Sequence, residues 1–334
     1  ISPQADTKEQ AADIATAGFK DKDWVPGIVP GTVFYAYVKA GKESDPDYGE
    51  NIYKVDKSKY NRPFWYRTEF AAPRLQNNQR VWLKFNGINK YATIYLNGKL
   101  LGSTHGHMQR GIFDVTDLLK AKNAIAVLVA PPRWDPDHDH PLANWESPTY
   151  ICSGSWDWMP AVPGLNSGIT DTVALTISGP VSISDPWIRA VMPDTNQATI
   201  HIAAQLSNSS PVPISGKLKA VITPGNITIS SNQVTLPPGS QQNISLPQQL
   251  LQHPRLWWPN GYGDQFRYSC KLSFETATPV TQHFGIRKVT SDTTALNGPM
   301  RLYINNVPVF VKGGNWGMSD YMLKVRGKDY EPGI

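Results

Sequence analysis

Apolar and polar residues alternate in short runs along most of the chain, and Gly, Pro, Asn and Asp separate the runs. Val81 to Phe85, Tyr91 to Leu96, Ala124 to Ala130, Val173 to Ile177, Thr199 to Leu206, Lys217 to Ile222 and Phe266 to Phe274 each read as strands. Short strands with regular turn signals predict a mainly β protein built from sandwiches. The sharpest hairpin signal is Thr93-Ile94-Tyr95-Leu96 followed by Asn97-Gly98, because Asn and Gly tolerate the positive φ angles of a type I′ turn. Lys99-Leu100-Leu101 then returns antiparallel. A helix is predicted from Lys8 to Thr16, ended by Gly18, and a single turn from Thr116 through Leu119. Helix is otherwise scarce.

The strand series breaks near Ser178-Gly179-Pro180 and resumes with many Pro, Ser and Asn turns, which marks a domain boundary. The second series runs to about Val289. Its length of about 110 residues and the alternation of Leu218, Ala220 and Ile222 suit an immunoglobulin-like sandwich, without the Cys-Trp-Cys hallmark. Asn297-Gly298-Pro299 then leads into Leu302 to Gly314, a hairpin followed by a buried-looking strand with a glycine-rich exit. The expected partition is 1–180, 181–290 and 291–334, with the last part only the opening of a third domain.

Length supports this division, since 334 residues exceed what one core usually serves. Apolar residues at 40% and charged residues at 18% exclude wholesale disorder. The net charge of +5 is dispersed, as in Lys20-Asp21-Lys22-Asp23, and forms no basic stripe, so nucleic acid is not an expected partner. Cys152 and Cys270 fall in different domains and imply buried free thiols rather than a disulfide framework or a thiolate metal site. No apolar run is long enough for a membrane span, and Ile1-Ser2-Pro3-Gln4 is not a signal peptide. A leader already removed, with a secreted or periplasmic location, is the expectation. Asn208-Ser209-Ser210, Asn226-Ile227-Thr228 and Asn243-Ile244-Ser245 are formal glycosylation acceptors.

Eleven tryptophans are many, and Trp145, Trp156 and Trp158 lie in a segment rich in Pro, Gly and Asp. Indole faces suit the C–H side of a pyranose, although a Trp in a β protein more often packs a core or a turn. Ser155-Trp156-Asp157-Trp158 favours a ligand, because a carboxylate held between two large rings needs a partner. Asp135-Pro136-Asp137-His138-Asp139-His140 resembles a metal-ligand run, but without a distant third ligand it reads as a solvated loop, and no metal is expected. Gly313-Gly314-Asn315-Trp316-Gly317 lacks the Lys-Ser/Thr ending of a phosphate loop, and there is no Gly-x-Ser-x-Gly elbow. No cofactor is called for.

Taken in order, a series of segments resembles glycoside hydrolase family two, in its β-mannosidase and exo-β-glucosaminidase branch. They are Gly18-Phe19 through Trp24, Val29-Pro30-Gly31-Thr32-Val33, Asp45-Pro46-Asp47-Tyr48-Gly49-Glu50-Asn51 and Phe64-Trp65-Tyr66-Arg67-Thr68-Glu69-Phe70. Phe85-Asn86-Gly87-Ile88, Ile94-Tyr95-Leu96-Asn97-Gly98, Phe113-Asp114-Val115-Thr116, Trp156-Asp157-Trp158 and Gly168-Ile169 follow. Leu256-Trp257-Trp258-Pro259-Asn260-Gly261, Phe284-Gly285-Ile286-Arg287 and Lys312-Gly313-Gly314-Asn315-Trp316 complete the series. Each segment alone is weak, and the shared order over nearly the whole chain is specific.

The resemblance implies a jelly-roll sugar-binding domain, an immunoglobulin-like sandwich, and a (β/α)₈ barrel whose first strand is Val309 to Lys312. It carries Asp157 over as a contact to hydroxyls of the terminal sugar, flanked by Trp156 and Trp158. Asn315, Trp316 and, more weakly, Asp320 would line the same pocket, at the strand end where barrel active sites lie. The family's retaining chemistry needs two glutamates about 5 to 5.5 Å apart, the acid/base one preceded by Asn. No Asn-Glu dipeptide occurs here, so no catalytic residue is expected in this chain, and the fragment alone should be inactive. Met159-Pro160 after Trp158, and Gly317-Met318-Ser319 after Trp316, depart from the family pattern and leave the sugar open. The expected partners are an oligosaccharide or glycoside and the catalytic barrel of the same parent chain. The rival readings are a self-contained carbohydrate-binding or adhesive module and, more weakly, a structural spacer. The opening at Leu302 to Trp316 speaks against the module.

Overall fold

In the computed structural model, residues 1–76, 78–132, 162–275, 277–292, 300–314 and 322 are described, together with the backbone of 134–135 and 140–141. They form two units, one built on Ile1–Leu75 and Val81–Thr176 and the other on residues 177–314.

The first unit is a two-sheet antiparallel sandwich. Its strands are β1 (Ser2–Pro3), β2 (Phe64–Ala71), β3 (Arg80–Phe85), β4 (Ile88–Asn89), β5 (Tyr91–Leu96), β6 (Lys99–His105), β7 (Gly111–Asp114), β8 (Lys122–Ala130), β9 (Trp134–Asp135), β10 (His140–Pro141), β11 (Gly168–Ile169) and β12 (Val173–Ser178). One sheet has the order β1-β2-β8-β5-β6 and the other β12-β3-β7, with β4–β11 and β9–β10 as short pairs. Period-two alternation aims Leu83 and Phe85 of β3, Ile94 and Leu96 of β5, and Val127 and Val129 of β8 into one core. Each such side chain contributes about 1.5–3 kcal/mol on burial. Asn97 and Gly98, at φ +50° and +83°, join β5 to β6 as the Asn-Gly signal predicts.

Helix differs from expectation in both directions. The predicted Lys8–Thr16 helix is only one turn, α1 (Ala11–Ile14), because Lys8-Glu9-Gln10 offers no apolar face to pack. Conversely α2 (Val33–Lys39) forms where turn and β-branched residues masked it. Thr32 caps it by accepting a 3.1 Å bond from the Tyr35 N–H, and Val33, Phe34 and Ala36 are buried. Its rings Phe34 and Tyr37 meet Tyr60 edge-on at 5.2 and 5.4 Å. A further turn, α3 (Asn51–Lys54), was also unpredicted.

The second unit contains β13 (Val181–Val191), β14 (Gln197–Asn208), β15 (Ile214–Gly216), β16 (Lys219–Thr223), β17 (Ile227–Ser230), β18 (Val234–Leu236), β19 (Gln241–Ser245), β20 (Gln249–Gln252), β21 (Tyr268–Ser273), β22 (Val280–Phe284), β23 (Val289–Asp292), β24 (Arg301–Ile304) and β25 (Val307–Val309). Its sheets run β13-β14-β19, with β20 also on β14, and β17-β16-β21-β22, flanked by β15–β18 and β23-β24-β25. Burial alternates strictly along β14, and its even-numbered residues from Ala198 to Leu206 join Leu218, Ala220, Ile222, Cys270 and Leu272 in one core. Cys270 is a buried free thiol whose pKa burial pushes up to about 11. Asn208 is buried, with its amide donating to the carbonyls of Val212, Leu236 and Pro237, so this triplet is no accessible acceptor, whereas Asn226 and Asn243 are exposed.

Among the described residues the segment expected as a strand, Val309 to Lys312, is unpaired beyond Val309. Phe310 and Val311 are 75% and 66% exposed, because no described strand pairs with the chain beyond that point. Among the described residues no helix is long and apolar enough to cross a membrane.

Candidate functional site

Trp156, Asp157 and Trp158 lie outside the described residues, as do Asn315, Trp316 and Asp320. The structure does describe the two roots of the first group, where the chain leaves β8 at Ala130-Pro131-Pro132 and returns at Val162. Residues 162–170 are buried without interruption. Within the tight turn Pro163–Asn166, Leu165 and Asn166 sit at φ +49° and +59°, a left-handed conformation that costs side-chain-bearing residues about 1–3 kcal/mol. Such a turn persists only if its surroundings over-determine it.

Two consecutive residues do much of that work. The buried Asn89 side chain donates 3.0 Å bonds to the carbonyls of Leu165 and Asn166, clamping the returning end. Lys90, next in sequence, donates its backbone N–H to the Ala130 carbonyl at 3.3 Å and so holds the departing end. The Lys90 ammonium lies 4.8 Å from the centre of the Tyr91 ring, and the whole side chain is buried. Gly164 donates to Asn61 Oδ1 at 3.2 Å. Gly168 has no alternative: a Cβ there would stand 2.5 Å from the Gly31 carbonyl oxygen and 2.8 Å from Thr32 Cα. That contact, with the Val33 N–H donating to Ser167 O at 2.8 Å, docks the return segment against the start of α2.

Between the two roots lies a cleft of about 380 Å³ lined by Asn61, Arg62, Pro63, Ala130, Pro131, Pro132 and Leu165. Among the described residues its walls supply an amide, a guanidinium and apolar surface. Nearby, burial and then a 2.7 Å bond donated to Glu43 hold the Tyr60 hydroxyl well above the usual phenol range. Among the described residues no group of three His, Cys, Asp or Glu is placed to hold a metal ion. Asn89, Lys90 and Asn166 escaped the sequence reading. The available signal was a polar doublet interrupting the alternation between Ile88 and Tyr91.

The second group has one described root, at the end of β25. Asn305 and Asn306, at φ +51° and +67°, turn β24 into β25, and the chain then runs through Phe310 to Gly314. This hairpin is tied to the loop Trp257–Tyr262 of the same unit. The buried Asn305 amide donates to Trp257 O at 3.1 Å, and Tyr262 Oη accepts from the Phe310 N–H at 2.9 Å. Arg287 stacks on Trp257 with its guanidinium carbon 4.6 Å from the ring centre.

An antiparallel sandwich with a long excursion from one rim, followed by a second sandwich, is the layout of the front domains of a class of sugar hydrolases. A model of the glycosyl hydrolase 2 galactose-binding-like domain matches residues 8–171, and one of glycosyl hydrolases family 2 matches residues 181–287. The chain belongs to glycoside hydrolase family two. It is similar to a mannosylglycoprotein endo-β-mannosidase of Lilium longiflorum, at 32% identity over 92% of this chain and 35% of that protein. It is also similar to an exo-β-D-glucosaminidase of Streptomyces avermitilis, at 26% identity over 96% of this chain and 35% of that protein. The crystal structure of the Amycolatopsis orientalis exo-chitosanase CsxA shares the fold, with a TM-score of 0.82 over 97% of this chain and 37% of that one at 24% identity. The chain thus spans about a third of the length of the curated relatives it matches.

Proposed function

We propose that the chain is the front part of a retaining β-glycosidase of the β-mannosidase or exo-β-glucosaminidase type, acting at the non-reducing end of a glycoside. In this reading residues 1–180 are a jelly-roll sugar-binding domain, 181–290 an immunoglobulin-like domain, and 291–334 the opening of a (β/α)₈ barrel with Val309 to Lys312 as its first strand. The observation that carries it is the adjacent exposure of Phe310 and Val311 just past β25. Two large apolar residues side by side on an unpaired segment call for neighbouring strands, as a barrel would supply. Asp157 binds hydroxyls of the terminal sugar between Trp156 and Trp158, and Asn315, Trp316 and Asp320 line the same pocket. The two catalytic glutamates belong to later barrel strands, and these 334 residues by themselves do not hydrolyse the substrate.

The test is a full-length protein assayed on aryl β-mannoside, β-glucosaminide and β-galactoside, and on a mannosylated glycopeptide cleaved internally. Turnover of an aryl glycoside with retention supports the proposal. Internal cleavage alone replaces the exo reading with an endo one. A protein inert toward all four, yet binding oligosaccharide tightly, is a binding module instead. In the active protein Asp157→Ala should lower kcat/KM by about 10²-fold, the worth of charge-assisted bonds to sugar hydroxyls, with the melting temperature unchanged. Unaltered kinetics would remove Asp157 from the pocket.

A further inference from the structure

We infer that the loop Trp257–Tyr262 is a bracket that aims the segment Phe310–Gly314, with Tyr262 and Asn305 as positioning residues for the pocket wall that follows. The inference rests on the barrel reading above and adds residues remote from any sugar contact. It stands on geometry within one unit. The bracket grips the outgoing chain at two points five residues apart, Asn305 and Phe310.

The first grip is rigid. Asn305 is 3% exposed and left-handed, and it makes three bonds: its N–H donates to Lys288 O at 2.8 Å, its Oδ1 accepts from the Lys288 N–H at 2.9 Å, and its amide donates to Trp257 O. One residue therefore ties the bracket loop and the β24–β25 turn to Lys288, which leads into β23. The loop is itself braced: the Trp257 N–H donates to Ile286 O at 2.8 Å and the Trp258 N–H to Asp264 O at 2.9 Å. Gly263, at φ +154°, passes the Trp258 ring so closely that a Cβ would stand 2.9 Å from it.

The second grip is a single bond, from the Phe310 N–H to Tyr262 Oη. Among the described residues no strand ladder directs the chain beyond β25, and this hydroxyl is the group seen to hold it there. Tyr262 is 39% exposed, and its ring is no part of the buried core. A phenol spent on one backbone N–H at a surface position contributes little to global stability, because water satisfies the freed N–H. It does contribute direction. Asn315 follows Phe310 by five residues, so an angular error at Phe310 is carried to the side chains proposed to meet the sugar, and small misplacements at such sites are costly.

The experiment uses the full-length protein with Tyr262→Phe and Asn305→Asp. In Tyr262→Phe, deuterium uptake of peptides covering Val309–Gly314 should rise at least about tenfold in rate, while peptides within β14 and β21 keep theirs. The melting temperature should stay within about 1 °C, and kcat/KM should fall about tenfold, mostly in kcat. Asn305→Asp keeps the acceptor for Lys288 but sets a carboxylate oxygen against Trp257 O in place of the donated bond, and it should reproduce the kinetic loss in part. Unchanged uptake at Val309–Gly314, or kcat/KM within twofold of wild type, overturns the inference. A wild type inert toward every glycoside overturns the glycosidase reading and the kinetic part with it, while the exchange result still decides whether the bracket exists.

Discussion

Arg67 on β2 joins several segments of the first unit, and replacing it tests how the N-terminal segment is held. Its side chain is 3% exposed. Nε donates to Ile14 O at 2.9 Å and Nη2 to Thr16 O at 2.7 Å, while Nη1 pairs with Asp21 at 2.6 Å and Nη2 with Glu69. The guanidinium also lies 5.4 Å from the centre of the Phe19 ring. The fork thus fastens α1 and the stretch to Asp21 onto the sheet, over the small cluster of Ile14, Ala15, Trp65 and Ala126. Breaking a buried pair by removing one partner costs about 3–5 kcal/mol. Here the carboxylates of Asp21 and Glu69 are 40% and 20% exposed and rehydrate when freed, which places Arg67→Met near the lower end, about 3 kcal/mol. Arg67→Lys keeps the charge but not the fork, and should cost about 1.5–2 kcal/mol. Urea unfolding followed by tryptophan fluorescence reads both values, and hydrogen exchange should show residues 11–24 opening before the sheet. A cost below about 0.5 kcal/mol for Arg67→Met, or unchanged exchange at residues 11–24, would refute the reasoning.

The same cluster sets a pH dependence. Bonds from Lys122, then Arg67, then the Gly18 N–H hold the Glu69 carboxyl down at about 2, below its ordinary 4.5. A depressed carboxyl contributes stability that is fully present above about 4.5 and is lost as pH falls toward about 2, so Glu69→Gln should flatten the acid limb of the stability profile in that window. An identical limb in the variant would dissociate Glu69 from the cluster. At the β5–β6 turn, the Asn97 amide donates to Leu118 O and Asn123 Oδ1 at 2.8 Å, and its Oδ1 accepts from the Ala124 N–H at 3.0 Å. Asn97→Ala loses these bonds and strains a left-handed residue, for about 2–3 kcal/mol in urea unfolding; less than about 0.5 would show the turn to be self-supporting. Gly168→Ala should abolish soluble expression, since its Cβ meets backbone at 2.5 Å, and a folded variant with wild-type melting would contradict the docking described. Phe310→Ser should leave the 334-residue chain within about 0.5 kcal/mol of its original stability but cost the full-length protein about 2–3 kcal/mol, and equal effects in both would argue against a barrel covering that ring.

What the sequence determined was local in origin. β5, with its Asn97-Gly98 turn, and β14 were legible because period-two burial needs no knowledge of the partner strand, and β8 because a short apolar run buried almost throughout reads as a central strand. The family was legible because ordered short motifs survive where overall identity is low. Tertiary structure alone decided the rest. α2 is made of residues that favour strands, and its burial against Tyr60 overrides their propensity. The predicted Lys8–Thr16 helix shrank to α1 because helix stability comes from a packed apolar face that its first residues lack. Asn89, Lys90 and Asn305 look like surface residues in the sequence, yet all three are buried and hold chain segments distant in sequence. Hydrogen bonding between remote segments leaves no periodic trace, so the clamps behind both proposed pocket walls emerged only from the folded chain.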